Sequence, residues 1–250
     1  SFLGPLEVVD LLVLMKAGRA LKSFLTEGRA VYPRLWELAR DLPDLGNLIR
    51  FLDGKVATTG ELEDRASDEL GSVRQEIRRR NARLKSVLDA IVERPEVSRA
   101  LQDTFISIRS ERHVIPIRAE ARAALAGIVH GVSGSGATVF VEPIETVDLN
   151  NEIVTLRDRE AAEAQRLLQE YSDLLRGRLA ELRGLVAGIG RLDLVMARAR
   201  LGRRLGGRLA EAAQDGLALE KARHPLVEES LRSEGGRMVP LDLRVEPKTR

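Results

Sequence analysis

Apolar residues return every three or four positions over most of this chain, a spacing that predicts amphipathic helices. Pro5 opens the first, where a fixed φ and a missing N–H are tolerated. Leu11, Leu14, Met15, Leu21 and Leu25 form its apolar face, and Gly28 ends it. Gly18 falls on the same face. A glycine there weakens the helix by roughly 1 kcal/mol relative to alanine, but it lets a neighbouring helix come close. Two shorter helices are expected over residues 33–40 and 44–52, punctuated by Pro43 and by Asp53-Gly54.

Two narrow seams follow. Leu70, Val73, Ile77, Leu84, Leu88 and Ile91 predict one helix over residues 66–92. Ala164, Leu168, Tyr171, Leu175, Leu179, Leu182, Val186 and Ile189 keep the alternating three–four spacing of a coiled coil. That second helix is expected to start near Ile144, after Pro143, with an interruption near Gly184 or at residues 188–190. A narrow seam needs a partner of similar width, so the two helices are expected to pair as antiparallel arms. At about 1.5 Å per residue, such an arm extends about 40 Å.

Between the seams the pattern changes. Residues 104–108, 114–117, 127–129 and 137–141 are rich in β-branched side chains, and the last two flank a Gly-rich turn at 131–136. They predict a small insertion of three or four short strands. A last helix over 191–205 is broken by Gly206-Gly207. Beyond it, residues 217–220 and 239–245 alternate apolar and polar around a short helix starting near Pro225, as if an α/β domain had just begun. The fold class expected is therefore mainly α: long antiparallel arms on a helical core, a small β-rich insertion at the tip and a short α/β tail. The divisions are core over 1–62, first arm helix over 63–92, insertion over 93–143, returning helix over 144–182, second part of the core over 183–215 and tail over 216–250.

Composition narrows this. The chain has 250 residues, 44% hydrophobic and 31% charged, with aromatics at only 3%, a balance that favours helices over sandwiches. The formal charge is +2, so contact with nucleic acid would have to come from local basic patches. Cysteine is absent, which removes disulfide and thiol chemistry and fits a reducing cytoplasm. No apolar run approaches the ~18–20 residues that cross a bilayer. A start at Ser1 and an end at Arg250 are read as those of an excised piece.

The candidate chemistry is basic. Arg78, Arg79, Arg80, Arg83 and Lys85 make a dense run on the first arm, either a solvated face or a stripe that tracks phosphates. Arg109, Arg112, His113, Arg118, Arg122 and His130 cluster around the tip, with Glu111 and Glu120 among them. The run Arg198, Arg200, Arg203 and Arg204 suits the C-terminal end of a helix dipole. The loop at 131–136, carrying Ser133 and Ser135, holds no lysine and leads into a strand, so it is a turn and not a nucleotide loop; the alternative is a backbone contact to a nucleic-acid phosphate. Phe105 and Phe140 look like core residues, so base stacking on aromatics is disfavoured. His113, His130 and His224 lack metal-ligand spacing, and no nucleophile constellation is present. Asn150-Asn151 either caps a helix or bridges to the insertion.

These residues form a familiar set. Asp64, Ala66, Ser67, Leu70 and Arg74 resemble the pattern D-x-A-S-x-x-L-x-x-I-R. Residues 109–120 resemble R-x-x-R-Y-V-I-P-V-K-A-E, residues 127–143 resemble G-I-V-H-D-x-S-x-S-G-A-T-x-F-x-E-P, and 147–151 resemble V-x-L-N-N. The chain is thus similar to the MutS-II branch of the MutS proteins over nearly its whole length. The tail agrees: 221–226 resembles the R-H-P-L segment at the start of the family's ATPase domain, and Val239-Pro240 with Asp242 resembles V-P-N-D. Departures are His113 for Tyr, Glu111 for Gly, Gly131 for Asp and Leu241 for Asn. The resemblance implies an ATP- and magnesium-dependent homodimer that binds branched or junction DNA and suppresses homologous recombination, with ribosome or RNA contact as the alternative. It implies that this piece holds the core, the levers and a clamp but no catalytic motif and no cofactor site, since the phosphate loop and the nuclease domain of the family do not occur in it. The nucleic-acid contacts expected are Arg78, Arg79, Arg80, Arg83, Lys85, Arg109, Arg112, Arg118, Arg122, His130, Ser133 and Ser135. A purely structural dimerisation module is the remaining reading.

Overall fold

A computed structural model describes residues 2–103, 106–212 and 216–245. The sequence-based assignments of Thr104 to a strand and of Phe105 to a core lie outside these residues. Helices hold 61% of the chain, so it is mainly α.

The first helix, α1 (Pro5–Glu27), starts at a proline, and the Gly4 N–H donates to the Glu7 carboxylate at 2.7 Å. It buries Val8, Leu12, Met15, Gly18 and Leu25. The short helices α2 (Pro33–Ala39) and α3 (Gly46–Leu52) pack beside it. Their apolar faces join Leu167, Leu168, Tyr171, Leu175, Leu182, Leu185 and Leu192 in one hydrophobic cluster.

The arm begins at α4 (Asp68–Val92). Ser67 caps it: its hydroxyl accepts from the Leu70 N–H at 3.0 Å and donates to Glu163 at 2.7 Å. Its partner is α6 (Val147–Arg176). The two run antiparallel, because Ser67, Arg74 and Arg80 meet Glu163, Glu160 and Glu152 in turn. The partner of the α4 seam is thus the first half of α6. The seam from Ala164 onward, expected to face α4, turns instead toward α1, α3 and the core, meeting α4 only at its base near Leu70. Leu179 and Val186 of that seam stay exposed.

The helix break also moves. Chain regularity lapses at Gly177-Arg178, and α7 (Leu179–Leu205) then runs straight through Gly184, Gly188 and Gly190 into the segment expected to be a separate last helix. Two of the chain's glycines are explained by close approach. A Cβ on Gly188 would lie 2.3 Å from a Leu42 methyl, and one on Gly18 would lie 2.4 Å from a Leu185 methyl. Gly206, at φ +57°, ends α7 in the left-handed conformation.

The tip opens with α5 (Pro95–Ala100) and holds four strands: β1 (Ser107–Arg109), β2 (Arg112–Arg118), β3 (Gly127–Val132) and β4 (Thr138–Pro143). They form one antiparallel sheet in the order β1-β2-β4-β3. Ile115, Ile117, Val139 and Val141 pack with Leu84, Leu88, Ile91, Leu149 and Ile153 from the arm helices in a second hydrophobic cluster. The tail is a two-stranded ribbon of β5 (Leu217–Ala222) and β6 (Leu241–Val245) with α8 (Pro225–Ser233), and none of its described residues is buried. Among the described residues, no helix is long and apolar enough to cross a membrane.

Candidate nucleic-acid interface

Charge enters the tip through a buried carboxylate. Glu142 stands near the end of β4, between Val141 and Pro143, and is fully buried. One oxygen accepts from the Arg112 guanidinium at 2.8 Å and from the Asn150 amide at 2.8 Å. The other lies 2.5 Å from His130 Nε2. Asn150, also fully buried, accepts the His113 backbone N–H at 3.1 Å and donates to the His113 carbonyl at 3.3 Å. Arg112 reaches on to Asn151 at 2.6 Å. Strands β2, β3 and β4 are thereby tied to the first turn of α6. Such a network is tolerated in a low-dielectric site because each buried polar group in it is satisfied.

Asn150-Asn151 therefore bridges to the insertion, one of its two expected roles. Glu142 had no place among the expected residues. Its signals were its place in the pattern that ends E-P and a carboxylate in a strand otherwise built of Thr, Val, Phe and Pro. Arg112 and His130, two of the residues expected to face nucleic acid, are partners of Glu142. Arg122 donates to the carbonyls of Leu125 and Gly127, and Arg118 to the carbonyl of Arg99. These arginines hold the loops of the tip in place.

The Gly-rich segment is the turn of the β3–β4 hairpin, as expected. Ser133 closes it, donating its N–H to the Thr138 carbonyl at 2.9 Å and accepting the Thr138 N–H on its hydroxyl at 3.1 Å. Ser135 lies 3.3 Å from the Ser133 hydroxyl. Space around Gly131, Gly134 and Gly136 is open.

At the base of the arm, Asp64 pairs with Arg74 at 3.0 Å and with Arg78 at 3.1 Å. The Arg74 hydrogen bond leads in holding its carboxyl below the usual range. Arg74 continues to Glu160 at 2.6 Å and to the Leu62 carbonyl at 2.7 Å. Glu163 is held at about 2, first by its Arg166 hydrogen bonds and then by Ser67, against the opposing effect of burial. Arg80 sits between Glu76 and Glu152, and Arg79 lies 3.9 Å from Glu76.

The basic run thus divides. Arg78 and Arg80 are engaged within the arm, and Arg79 only loosely. Arg83, Lys85 and Arg109 meet no carboxylate among the described residues and are exposed; Arg109 lies 4.3 Å over the Phe140 ring. Residues 93–143 hold six arginines and six carboxylates, so the tip has no net basic charge from these groups. A second basic surface lies on the exposed end of α7, where Arg191, Arg198, Arg200, Arg203 and Arg204 have Asp193 as the single carboxylate among them. Arg204 is paired with Glu229 of α8. Among the described residues, no group of three or more His, Asp or Glu could hold a metal ion.

No family model matches the chain. Individual relatives do. The chain is 33% identical over 249 residues to the protein named Endonuclease MutS2 of Pelotomaculum thermopropionicum, covering 98% of this chain and 30% of that one. It is 32% identical over 247 residues to the Endonuclease MutS2 of a Geobacillus strain, covering 97% and 31%. It is 34% identical over 231 residues to that of Geobacillus thermodenitrificans, covering 91% and 30%. The chain spans about 30% of the length of the curated relatives it matches. The family's motif residues account for the polar joints just described: Ser67 and Arg74 at the arm base, Arg112, His130, Glu142 and Asn150 at the tip. With the alignment running through nearly all of the chain, it belongs to the MutS-II branch of the MutS family.

Proposed function

We propose that this segment is the non-catalytic, DNA-gripping part of a MutS-II ATPase. In this reading the tip and the upper arm lie along the phosphate backbone of duplex or junction DNA, and the α4–α6 pair acts as a lever. ATP and magnesium belong to another part of the protein, which works as a cytoplasmic homodimer in suppressing homologous recombination. Residues 216–245 form the edge of the ATPase domain. Backbone contacts position a protein without reading sequence, which suits recognition of DNA shape.

The observation that carries this reading is the set Arg83, Lys85 and Arg109. These cations are exposed, lie on the tip or the arm beside it, and have no carboxylate partner among the described residues. The frame that presents them is fixed by the Glu142 network. Engaged residues such as Arg112 and Arg122 serve the frame and not the contact.

The test is a mobility shift of the chain on linear duplex and four-way junction across a salt series. Each phosphate neutralised contributes a slope of about −0.9 in log affinity against log salt. Arg83→Glu, Lys85→Glu and Arg109→Glu together should reduce junction affinity by at least roughly tenfold and flatten that slope. Equal binding by parent and triple variant sinks the proposal. A second reading, ribosome or RNA contact, draws on the same cations. It wins if co-sedimentation with ribosomes persists against excess junction DNA. A stable dimer in sedimentation that shifts no nucleic acid supports the dimerisation module instead.

A further inference from the structure

Among the described residues, the half-buried arginines are Arg74, Arg80, Arg112, Arg122 and Arg157. The first four are engaged. Arg74 meets Asp64 and Glu160, Arg80 meets Glu76 and Glu152, Arg112 meets Glu142, and Arg122 donates to two carbonyls of the tip. Arg157, on α6, has no ion pair and no hydrogen bond among the described residues. Taking a cation partly out of water is costly unless an anion or a set of acceptors meets it. The fold supplies such partners in four cases and leaves the fifth cation open.

Arg157 lies on the wall of a cleft of about 580 Å³ where the arm meets the tip, between α4, β1, β2 and α6. Leu88, Val92, Ile106 and Ile108 make much of that wall apolar. Lys85 adds a second cation from α4, and Asp89 is the one carboxylate on the wall. The charge of Arg157 is felt inside the cleft. After burial, it is the next cause that holds the His113 imidazole below its ordinary value. His113 is therefore neutral near pH 7, and two cations stand against one carboxylate.

We infer that Arg157 is a phosphate ligand, an inference that rests on the DNA-gripping reading above: its guanidinium takes a phosphate of the nucleic-acid backbone at the mouth of this cleft, with Lys85 adding charge from the α4 side. A guanidinium matches two phosphate oxygens at once, and beside an apolar wall the attraction exceeds that in open water. No internal ion pair has to break for Arg157 to bind, unlike Arg112, whose pair with Glu142 would be lost. The contact extends the grip to the second helix of the arm. The same chemistry would hold a free phosphate ion, and the experiment separates the two sources.

The experiment uses the whole chain. Parent, Arg157→Met and Arg157→Lys are compared in mobility shifts on linear duplex and four-way junction across a salt series. Hydrogen exchange of the β2 amides follows the fold of the tip. Side-chain NMR signals of His113, with those of His224 on the tail as control, report on the cleft during titration with duplex or with inorganic phosphate. Arg157→Met should weaken binding at least roughly threefold and flatten the salt slope by about 0.9, the share of one phosphate. Arg157→Lys should keep the slope. Exchange on β2 should stay as slow as in the parent or become slower, because no internal partner is lost; a structural arginine would speed it. Unchanged affinity and slope in Arg157→Met overturn the inference and leave the grip standing. So does a loss that comes with faster β2 exchange, or one that Arg157→Lys shares in full. If the parent binds neither DNA, the grip fails, and inorganic phosphate decides. A His113 shift in the parent that is absent in Arg157→Met then assigns a free phosphate, and no shift overturns the site as well.

Discussion

Glutamine at position 142 keeps the size of the side chain and removes its charge. In the parent, the carboxylate accepts from Arg112 at 2.8 Å, from Asn150 at 2.8 Å and, across 2.5 Å, meets His130. The amide oxygen of Glu142→Gln can still accept from Arg112 or Asn150, but its N–H₂ has to face one of the former donors. Arg112 then loses the only carboxylate it meets among the described residues, while its side chain is only 23% exposed. Breaking a fully buried ion pair by removing one partner costs about 3–5 kcal/mol. Partial exposure of Arg112 and its surviving bond to Asn151 reduce this, so about 2–3 kcal/mol is expected for the tip. The assay must see the tip separately, because the single tryptophan, Trp36, reports on the core around α1 and α2. Hydrogen exchange of the β2–β4 amides does so. Protection there should fall roughly 30- to 150-fold, while the Trp36 urea transition moves much less. Arg112→Met combined with Glu142→Gln leaves no guanidinium without a carboxylate, keeps an amide for Asn150 and His130, and should recover much of the loss. Exchange within threefold of the parent in Glu142→Gln, or a double variant no better than the single, refutes the view that this network holds the tip together.

Other consequences are quicker to state. Ser110 and Glu111 form the β1–β2 turn at φ 48° and φ 64°, a left-handed pair that favours glycine. Glu111→Gly should slow exchange at β1 and β2 by about 1 kcal/mol of added stability; unchanged or faster exchange argues against strain there. The Tyr171 hydroxyl is buried without a partner among the described residues, so Tyr171→Phe should hold or raise the Trp36 urea midpoint by up to about 1 kcal/mol, and a clear fall would show a missed partner. Glu163, at about 2 when folded against an ordinary 4.5, contributes stability that is complete above pH 4.5 and is lost as pH falls toward 2. Discounted for the exposure of Arg166, that is about 1–2 kcal/mol; Glu163→Gln should flatten the acid limb of stability against pH, and an unaltered limb rejects the assignment.

Elements were legible where one rule acted alone. Pro5 with a three–four apolar face specified α1, and the seam from Leu70 to Ile91 specified α4. Partners were harder to read. The seam from Ala164 to Ile189 has coiled-coil spacing, yet most of it faces a cluster of short helices, because spacing records that a face is buried and not against what. Glycines misled for a related reason. Gly184 and Gly190 looked like breaks, but α7 absorbs them at roughly 1 kcal/mol each, and the break falls at Gly177-Arg178. Among the site residues, a linear basic run carried no information about which arginines have carboxylates opposite. Asp64, Glu142 and Glu152 lie far away in sequence from Arg78, Arg112 and Arg80, and only folding brings them together.

The two hydrophobic clusters divide the arm into regions with different mechanical roles. Leu70 at the foot of α4 belongs to the core, and Leu84, Leu88 and Ile91 at its head belong to the tip. Between them the seam thins to Val73 and the half-buried Ile77, flanked by the Arg74–Glu160 and Arg80–Glu152 pairs. Ion pairs as exposed as these contribute little, about 0–1 kcal/mol each. Stiffness along the middle of the arm therefore comes from two continuous helices, not from the links across them. At the head the situation reverses. The sheet is fastened to α4 by apolar packing and to α6 by Glu142 and Asn150. A tip held by both helices cannot swivel on one; it turns only if α4 and α6 bend together, and the thin middle is where that bending meets least resistance.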